Sequence, residues 1–153
     1  MGARKTLVFK CRIAASAEKV LKWHFLPETI DKLIPPWENV EVVKAATGPE
    51  DGQQAIFRMH MGPGHLDWVA EHCNYIEGRQ FADKQLRGPF AYWLHTHIFH
   101  KLSDSECELE DRIEYEVPLA PLTQMFVGGF VRSKIERMFT YRHKVTKSEC
   151  EKL

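Results

Sequence analysis

The stretch Trp93-Leu94-His95-Thr96-His97-Ile98-Phe99 holds the densest set of chemically capable side chains in this sequence. On an extended backbone successive side chains alternate, so Trp93, His95, His97 and Phe99 share one face while Tyr92, Leu94, Thr96 and Ile98 share the other. Neither face reads as a plain solvated surface, which requires the strand to be largely covered and its imidazoles enclosed. An enclosed imidazole needs a hydrogen-bond partner, a metal or a ligand. The same alternation after residue 106 groups Cys107, Leu109, Asp111, Ile113, Tyr115 and Val117 against Glu108, Glu110, Arg112, Glu114 and Glu116, a face that reads as solvent. Asp111 is thereby a carboxylate among apolar neighbours, costly unless paired or hydrogen-bonded.

His95, His97 and Asp111 with Asp83 and Gln85 make a candidate polar cluster, with Trp68, His72, Trp93 and Tyr115 as candidate neighbours. A histidine beside a buried carboxylate can orient a ligand carbonyl or hydroxyl, or move a proton, so His95, His97 and Asp111 are the candidate catalytic residues. The same groups can instead satisfy one another and fix strand register. A His-x-His pair on a strand can also present two imidazoles to one ion, with His72 or Asp111 as a third ligand. No second strong ligand motif accompanies it, and we expect no metal and no cofactor. Gly-x-Ser-x-Gly, P-loop and dinucleotide fingerprints are absent from the sequence, and Cys73 and Cys107 have no evident activating partner, which argues against covalent catalysis.

These residues must be held by strands. Leu7, Phe9, Cys11 and Ile13 alternate with Val8, Lys10 and Arg12 as a first strand, and Ser16 can cap a short helix whose apolar side is Val20, Leu21, Trp23, His24 and Phe25. A second short helix over Glu28 to Ile34 is closed by Pro35-Pro36. Strands are expected near 38–47, 53–62, 65–77, 79–87, 91–102 and 106–117, separated by Gly, Pro, Ser and Asp turns, which makes an antiparallel meander. After Pro118 and Pro121 one long helix runs to about Lys144, interrupted in composition by Gly128-Gly129, a pair that costs about 1 kcal/mol per glycine. Close approach to the sheet or a soft bend would account for it.

At 153 residues the chain reads as one domain, 1–153. Twenty-one basic residues balance twenty-one acidic ones, with no basic stripe, so nucleic acid and anionic membranes are not expected partners. Four widely spaced cysteines suit free thiols in a reducing cytoplasm, and no run has the length of a membrane span.

The order strand, two short helices, six strands, long helix resembles the helix-grip fold of the START and Bet v 1-like superfamily. Within its SRPBCC, or polyketide cyclase/dehydrase-like, branch the chain is similar at Leu33-Ile34-Pro35-Pro36-Trp37, Asp67-Trp68-Val69-Ala70-Glu71-His72 and Arg79-Gln80-Phe81-Ala82-Asp83-Lys84-Gln85. Gly88-Pro89-Phe90-Ala91-Tyr92-Trp93-Leu94-His95-Thr96-His97 completes the resemblance, and Phe81 to Phe99 is its specific part. It implies an α+β helix-grip fold, a curved seven-stranded antiparallel sheet around a long C-terminal helix, with an internal cavity between them for a hydrophobic or amphipathic small molecule. Phe57, Met59, Phe99, Met125 and Phe126 then join Trp68, His72, Asp83, Gln85, Trp93, His95, His97, Asp111 and Tyr115 as candidate ligand contacts, with apolar burial supplying affinity. The alternatives are a cyclase or dehydratase using the same cavity, and a protein-interaction module marked by an exposed apolar patch.

Overall fold

The computed structural model describes residues 2–118 and 121–153; the side chains of 121–126 are not described, so those of Met125 and Phe126 lie outside the described residues. The chain runs β1 (Lys5–Ile13), α1 (Ala17–Trp23), α2 (Thr29–Leu33), β2 (Val40–Lys44), β3 (Gln54–Met61), β4 (Gly64–Ile76), β5 (Gln80–Arg87), β6 (Tyr92–Ser103), β7 (Glu106–Glu116) and α3 (Pro121–Cys150). The strands form one seven-stranded sheet in the order β1-β7-β6-β5-β4-β3-β2, antiparallel throughout. This is the helix-grip architecture expected from the order of elements. Consecutive strands β2 to β7 pair with their neighbours, through short turns from β3 onward and through the longer segment 45–53 between β2 and β3. β1 closes onto β7 after the chain has passed through α1 and α2.

Local chemistry explains the two short helices. The Ser16 hydroxyl accepts from the Lys19 amide at 3.2 Å, capping α1. The buried Thr29 hydroxyl, at the start of α2, donates to the Trp23 carbonyl at 2.6 Å, so the end of α1 is satisfied by the beginning of α2. Gly62, at φ 55°, makes the left-handed position at the β3–β4 tip.

α3 lies mainly against β1, α1 and α2. It extends six residues beyond the expected end at Lys144, because Ile135, Phe139, His143, Thr146 and Cys150 form a continuous buried stripe at three- and four-residue spacing. Histidine and threonine in that stripe hid its apolar character from a reading of residue types. Gly128 is buried, with the end of the Lys5 side chain 2.9 Å from where a β-carbon would stand, whereas Gly129 is exposed with open space beside it.

Two apolar clusters fill the concave side. One gathers Ile13, Val20, Leu21, Trp23, Leu33, Phe81, Phe99, Leu109 and Cys150; the other gathers Leu7, Trp93, Ile113, Tyr115, Ile135 and Phe139. Burying each such large side chain contributes about 1.5–3 kcal/mol. The expected solvent face of β7 needs one correction. Glu110 is buried, accepting from His100 Nε2 at 2.8 Å and Arg112 Nη2 at 3.0 Å, because these flanking side chains fold over it. β2 is shorter than the expected 38–47, with a register shift between Val42 and Lys44. The chain then turns so that the Gly48 carbonyl faces His72.

Candidate functional site

The strand register builds the site as two adjoining rows across the concave face. In one row Leu7, Ile113, His95, Asp83 and His72 stand opposite one another in turn, and in the next Phe9, Asp111, His97 and Phe81 do. The two carboxylates are therefore offset diagonally, with both imidazoles of the His95-Thr96-His97 segment between them. Apolar clusters lie on either side: Phe81 stacks on His97 at a centroid separation of 4.1 Å, and Phe139 meets His95 edge-on at 4.9 Å.

Asp111 is the hub. Its Oδ1 accepts from His95 Nε2 at 2.7 Å and its Oδ2 from His143 Nε2 at 2.6 Å. His97 Nδ1 lies 3.0 Å from Asp111 Oδ1, near enough for strong attraction yet without a hydrogen bond, so this buried nitrogen lacks a partner among the described residues. On the far side His97 Nε2 donates to Asp83 Oδ1 at 3.3 Å, and His95 Nδ1 is 3.5 Å from the same oxygen. The His95 and His97 rings are 3.8 Å apart. Each imidazole thus turns one nitrogen to Asp111 and the other to Asp83.

Burial and charge act in opposition here. Burial alone would lower His97, but Asp111 and Asp83 outweigh it and raise the imidazole to about 9, which favours its charged form. Burial would raise Asp111, yet the His97 charge, with the hydrogen bonds from His143 and His95, holds it well below the usual carboxylate range. Asp83 is likewise lowered against burial by His95 and His97. His95 is lowered by burial and by the neighbouring His97 charge. His24, at the end of α1, sits edge-on to His97 at 5.6 Å; burial first, and the His97 charge second, lower it to about 3. Arg142 supplies a second positive charge: burial lowers its pKa, while Asp111 and Asp83 act against that shift.

The remaining candidate residues take different positions. His72 is buried, with Nδ1 bonded to the Gly48 carbonyl at 3.0 Å. Gln85 clamps the turn before β6, donating to the Phe90 carbonyl at 2.8 Å and accepting from the Phe90 amide at 3.2 Å. Trp68 meets Trp93 at 4.9 Å and Phe90 at 5.6 Å, and Phe57 stands opposite Trp68 in the β3–β4 register. Phe57, Met59, Trp68 and Phe90 remain half-buried, whereas Trp93, Phe99 and Tyr115 are core. The Tyr115 hydroxyl has no hydrogen-bond partner among the described residues. Two open surface depressions are also present. One, of about 430 Å³, is a groove between β1 and α3 that includes Phe9, Phe139 and His143; the other, of about 260 Å³, lies beside Ala14 and Leu153.

His143, His24 and Arg142 belong to this neighbourhood and were not among the sequence candidates. The four-residue step from Phe139 to His143 on one helix face was the available signal for the first.

No family model matches the chain, and no curated protein matches it at a significant level. Solved structures do. The Zhui aromatase/cyclase from Streptomyces sp. R1128 superposes with a TM-score of 0.73 at 16% identity, covering 97% of this chain and 94% of that one. A START superfamily protein from Mycobacterium smegmatis gives 0.70 at 15% identity, over 96% and 97% of the two chains. Norcoclaurine synthase from Thalictrum flavum, in complex with dopamine and hydroxybenzaldehyde, gives 0.64 at 17% identity, over 94% and 87%. With its seven-stranded antiparallel sheet, paired short helices and long C-terminal helix, the chain has the START/Bet v 1-like SRPBCC fold.

Proposed function

We propose that the protein binds a hydrophobic or amphipathic small molecule over the concave face of the sheet, with the Asp83/His95/His97/Asp111 cluster orienting its polar end. The observation that carries this reading is the half-buried shelf of Phe57, Met59, Trp68 and Phe90, continuous through Trp93 with the buried charged cluster. Large apolar side chains left partly open beside a few convergent polar groups are the usual composition of a ligand site. Trp68 and Phe90 pack against the cluster to which α3 contributes Ile135 and Phe139, so the shelf borders the contact between helix and sheet. Fold neighbours described with small aromatic molecules or as a cyclase support the same reading. Among the described residues no helix is long and apolar enough to cross a membrane.

A titration with a panel of aromatic and acyl compounds, read by tryptophan fluorescence, tests the proposal. Saturable quenching by at least one compound is expected, weakened about tenfold or more in Trp68→Ala, equivalent to about 1.4 kcal/mol. Absence of saturable binding across the panel in the folded protein would overturn it.

A second reading, acid-base catalysis of the cyclase or dehydratase type, is favoured by one observation: the buried His97 Nδ1 has no hydrogen-bond partner among the described residues, on a ring whose pKa Asp111 and Asp83 raise. It requires that His97→Gln, still folded, lose turnover of a bound compound while retaining its binding. Unchanged turnover would dismiss it.

A further inference from the structure

The sequence alone allowed His95 and His97 to meet an ion with help from His72 or Asp111, and on spacing no metal was expected. The geometry gives the third position to a different residue. Ligand atoms of Asp83, His95 and His97 all lie within 4.8 Å of one another, and neither His72 nor Asp111 belongs to that set. His72 has its Nδ1 engaged by the Gly48 carbonyl, and Asp111 stands behind the two imidazoles.

From this arrangement we propose that Asp83 Oδ1, His95 Nδ1 and His97 Nε2 form a site for a divalent transition-metal ion, with Zn²⁺ the best match. Two independent features of the geometry carry the assignment.

The first is spacing. Zinc holds nitrogen and oxygen ligands at about 2.0–2.2 Å in tetrahedral sites, which sets neighbouring ligand atoms about 3.4 Å apart; a six-coordinate ion with similar bonds needs about 3.0 Å. Asp83 Oδ1 stands 3.3 Å from His97 Nε2 and 3.5 Å from His95 Nδ1. Both separations fit the tetrahedral value. The 3.5 Å approach makes no hydrogen bond, so an ion would join groups that are otherwise merely adjacent.

The second feature is the support behind the ligands. A metal-bound histidine commonly gives its other ring nitrogen to a carboxylate, which fixes the ring and strengthens the donor. Here the opposite nitrogens of both imidazoles face one carboxylate: His95 Nε2 is hydrogen-bonded to Asp111 Oδ1 at 2.7 Å, and His97 Nδ1 is 3.0 Å from the same oxygen. Asp111 is itself anchored by His143 from α3 at 2.6 Å. The rings are also held by apolar contacts, Phe81 stacking on His97 and Phe139 edge-on to His95. The three ligands come from the neighbouring strands β5 and β6, which are paired in register at Asp83 and His95. Three protein ligands leave a tetrahedral ion one position, which a water or a ligand oxygen can take. Two imidazoles and a carboxylate suit a borderline ion such as Zn²⁺ better than the oxygen-seeking Mg²⁺ or Ca²⁺. The inference does not depend on the small-molecule reading above and is tested by different signals.

The test uses the protein stripped with a chelator and titrated at neutral pH with Zn²⁺, which must displace the proton His97 Nε2 shares with Asp83 and release it to solvent, followed by ¹⁵N NMR of the histidine rings. One ion per chain is expected, with ring-nitrogen shifts at His95 and His97 and none at the exposed pair His60 and His65. Co²⁺ in place of Zn²⁺ is expected to give the intense visible absorption of a four-coordinate ion. Asp83→Asn, nearly isosteric, is expected to weaken Zn²⁺ binding at least tenfold, and Asp111→Asn by 10- to 100-fold through the supporting shell, while His60→Ala leaves it unchanged. The wild-type NMR titration stands even where a variant folds poorly. Absence of shifts at His95 and His97 with Zn²⁺ in excess, shifts confined to His60 and His65, or an Asp83→Asn variant of undiminished affinity would each overturn the proposal.

Discussion

Replacing Asp111 by asparagine removes a charge and one acceptor from the point where three imidazoles converge. Asp111 is 3% exposed and accepts two short hydrogen bonds, from His95 at 2.7 Å and His143 at 2.6 Å, with His97 a further 3.0 Å neighbour. Each charge-assisted hydrogen bond contributes about 1.5–3 kcal/mol, and breaking a buried ion pair by removing one partner costs about 3–5 kcal/mol. These contributions describe the same groups and are not additive. The expected destabilisation of the metal-free protein is therefore about 3–5 kcal/mol. Asparagine cannot restore both bonds: its oxygen can accept from one imidazole, but its amide then presents an N–H to the other donor. Urea unfolding at pH 7, followed by circular dichroism, measures the loss as a lower midpoint at unchanged slope. In the same variant NMR titration should find His97 lowered from about 9 toward 6.5, since the carboxylate that attracts its charge most strongly has been neutralised. A loss below about 1 kcal/mol with an unchanged slope would refute the reasoning, because it would mean that Asp111 is solvated or replaceable.

Three further outcomes follow from individual contacts. In chelator-treated protein, His97 is raised from 6.5 to about 9, so its stabilisation is complete below pH 6.5 and is lost as pH rises through 9, an effect of about 3 kcal/mol. His24, lowered to about 3, acts oppositely, its contribution being lost as pH falls below 6.5; urea midpoints measured across pH should thus decline on both sides of the region near 6.5, and a flat alkaline limb would contradict the His97 assignment. Thr29→Val should cost about 1–3 kcal/mol, because it leaves the Trp23 carbonyl without its buried 2.6 Å donor, and a thermal melt indistinguishable from wild type would dismiss that role. Gln85→Ala should loosen the turn it clamps through Phe90 and accelerate amide exchange at Phe90, while leaving the His95 and His97 ring signals in place; unchanged exchange at Phe90 would show the clamp to be dispensable.

Much of the fold could be read because alternation and turn chemistry act locally. The two-residue period of Trp93 to Phe99 and of Cys107 to Val117 identified the concave faces of β6 and β7, and paired prolines and glycines marked where elements stop. The site was less legible, since it depends on register. His97 stands opposite Asp111, but His95, opposite Ile113, reaches Asp111 diagonally. Only that offset lets one carboxylate hold two histidines of the same strand. His143 was hidden for another reason: a polar residue on a long helix reads as solvent-facing until the sheet places a carboxylate against it. Gln85 illustrates the converse, a polar residue on a candidate site strand whose amide is occupied by the backbone of the next turn. Glu110 was assigned to solvent by the same alternation that located Asp111, yet His100 and Arg112 enclose it on the outer face.

The most direct test of the central claim is native mass spectrometry of the folded protein with the aromatic and acyl panel, compared with its denatured mass. The account predicts a one-to-one organic adduct that is lost on denaturation and weakened in Trp68→Ala. The bare polypeptide mass with every compound, under conditions that preserve the fold, would contradict it.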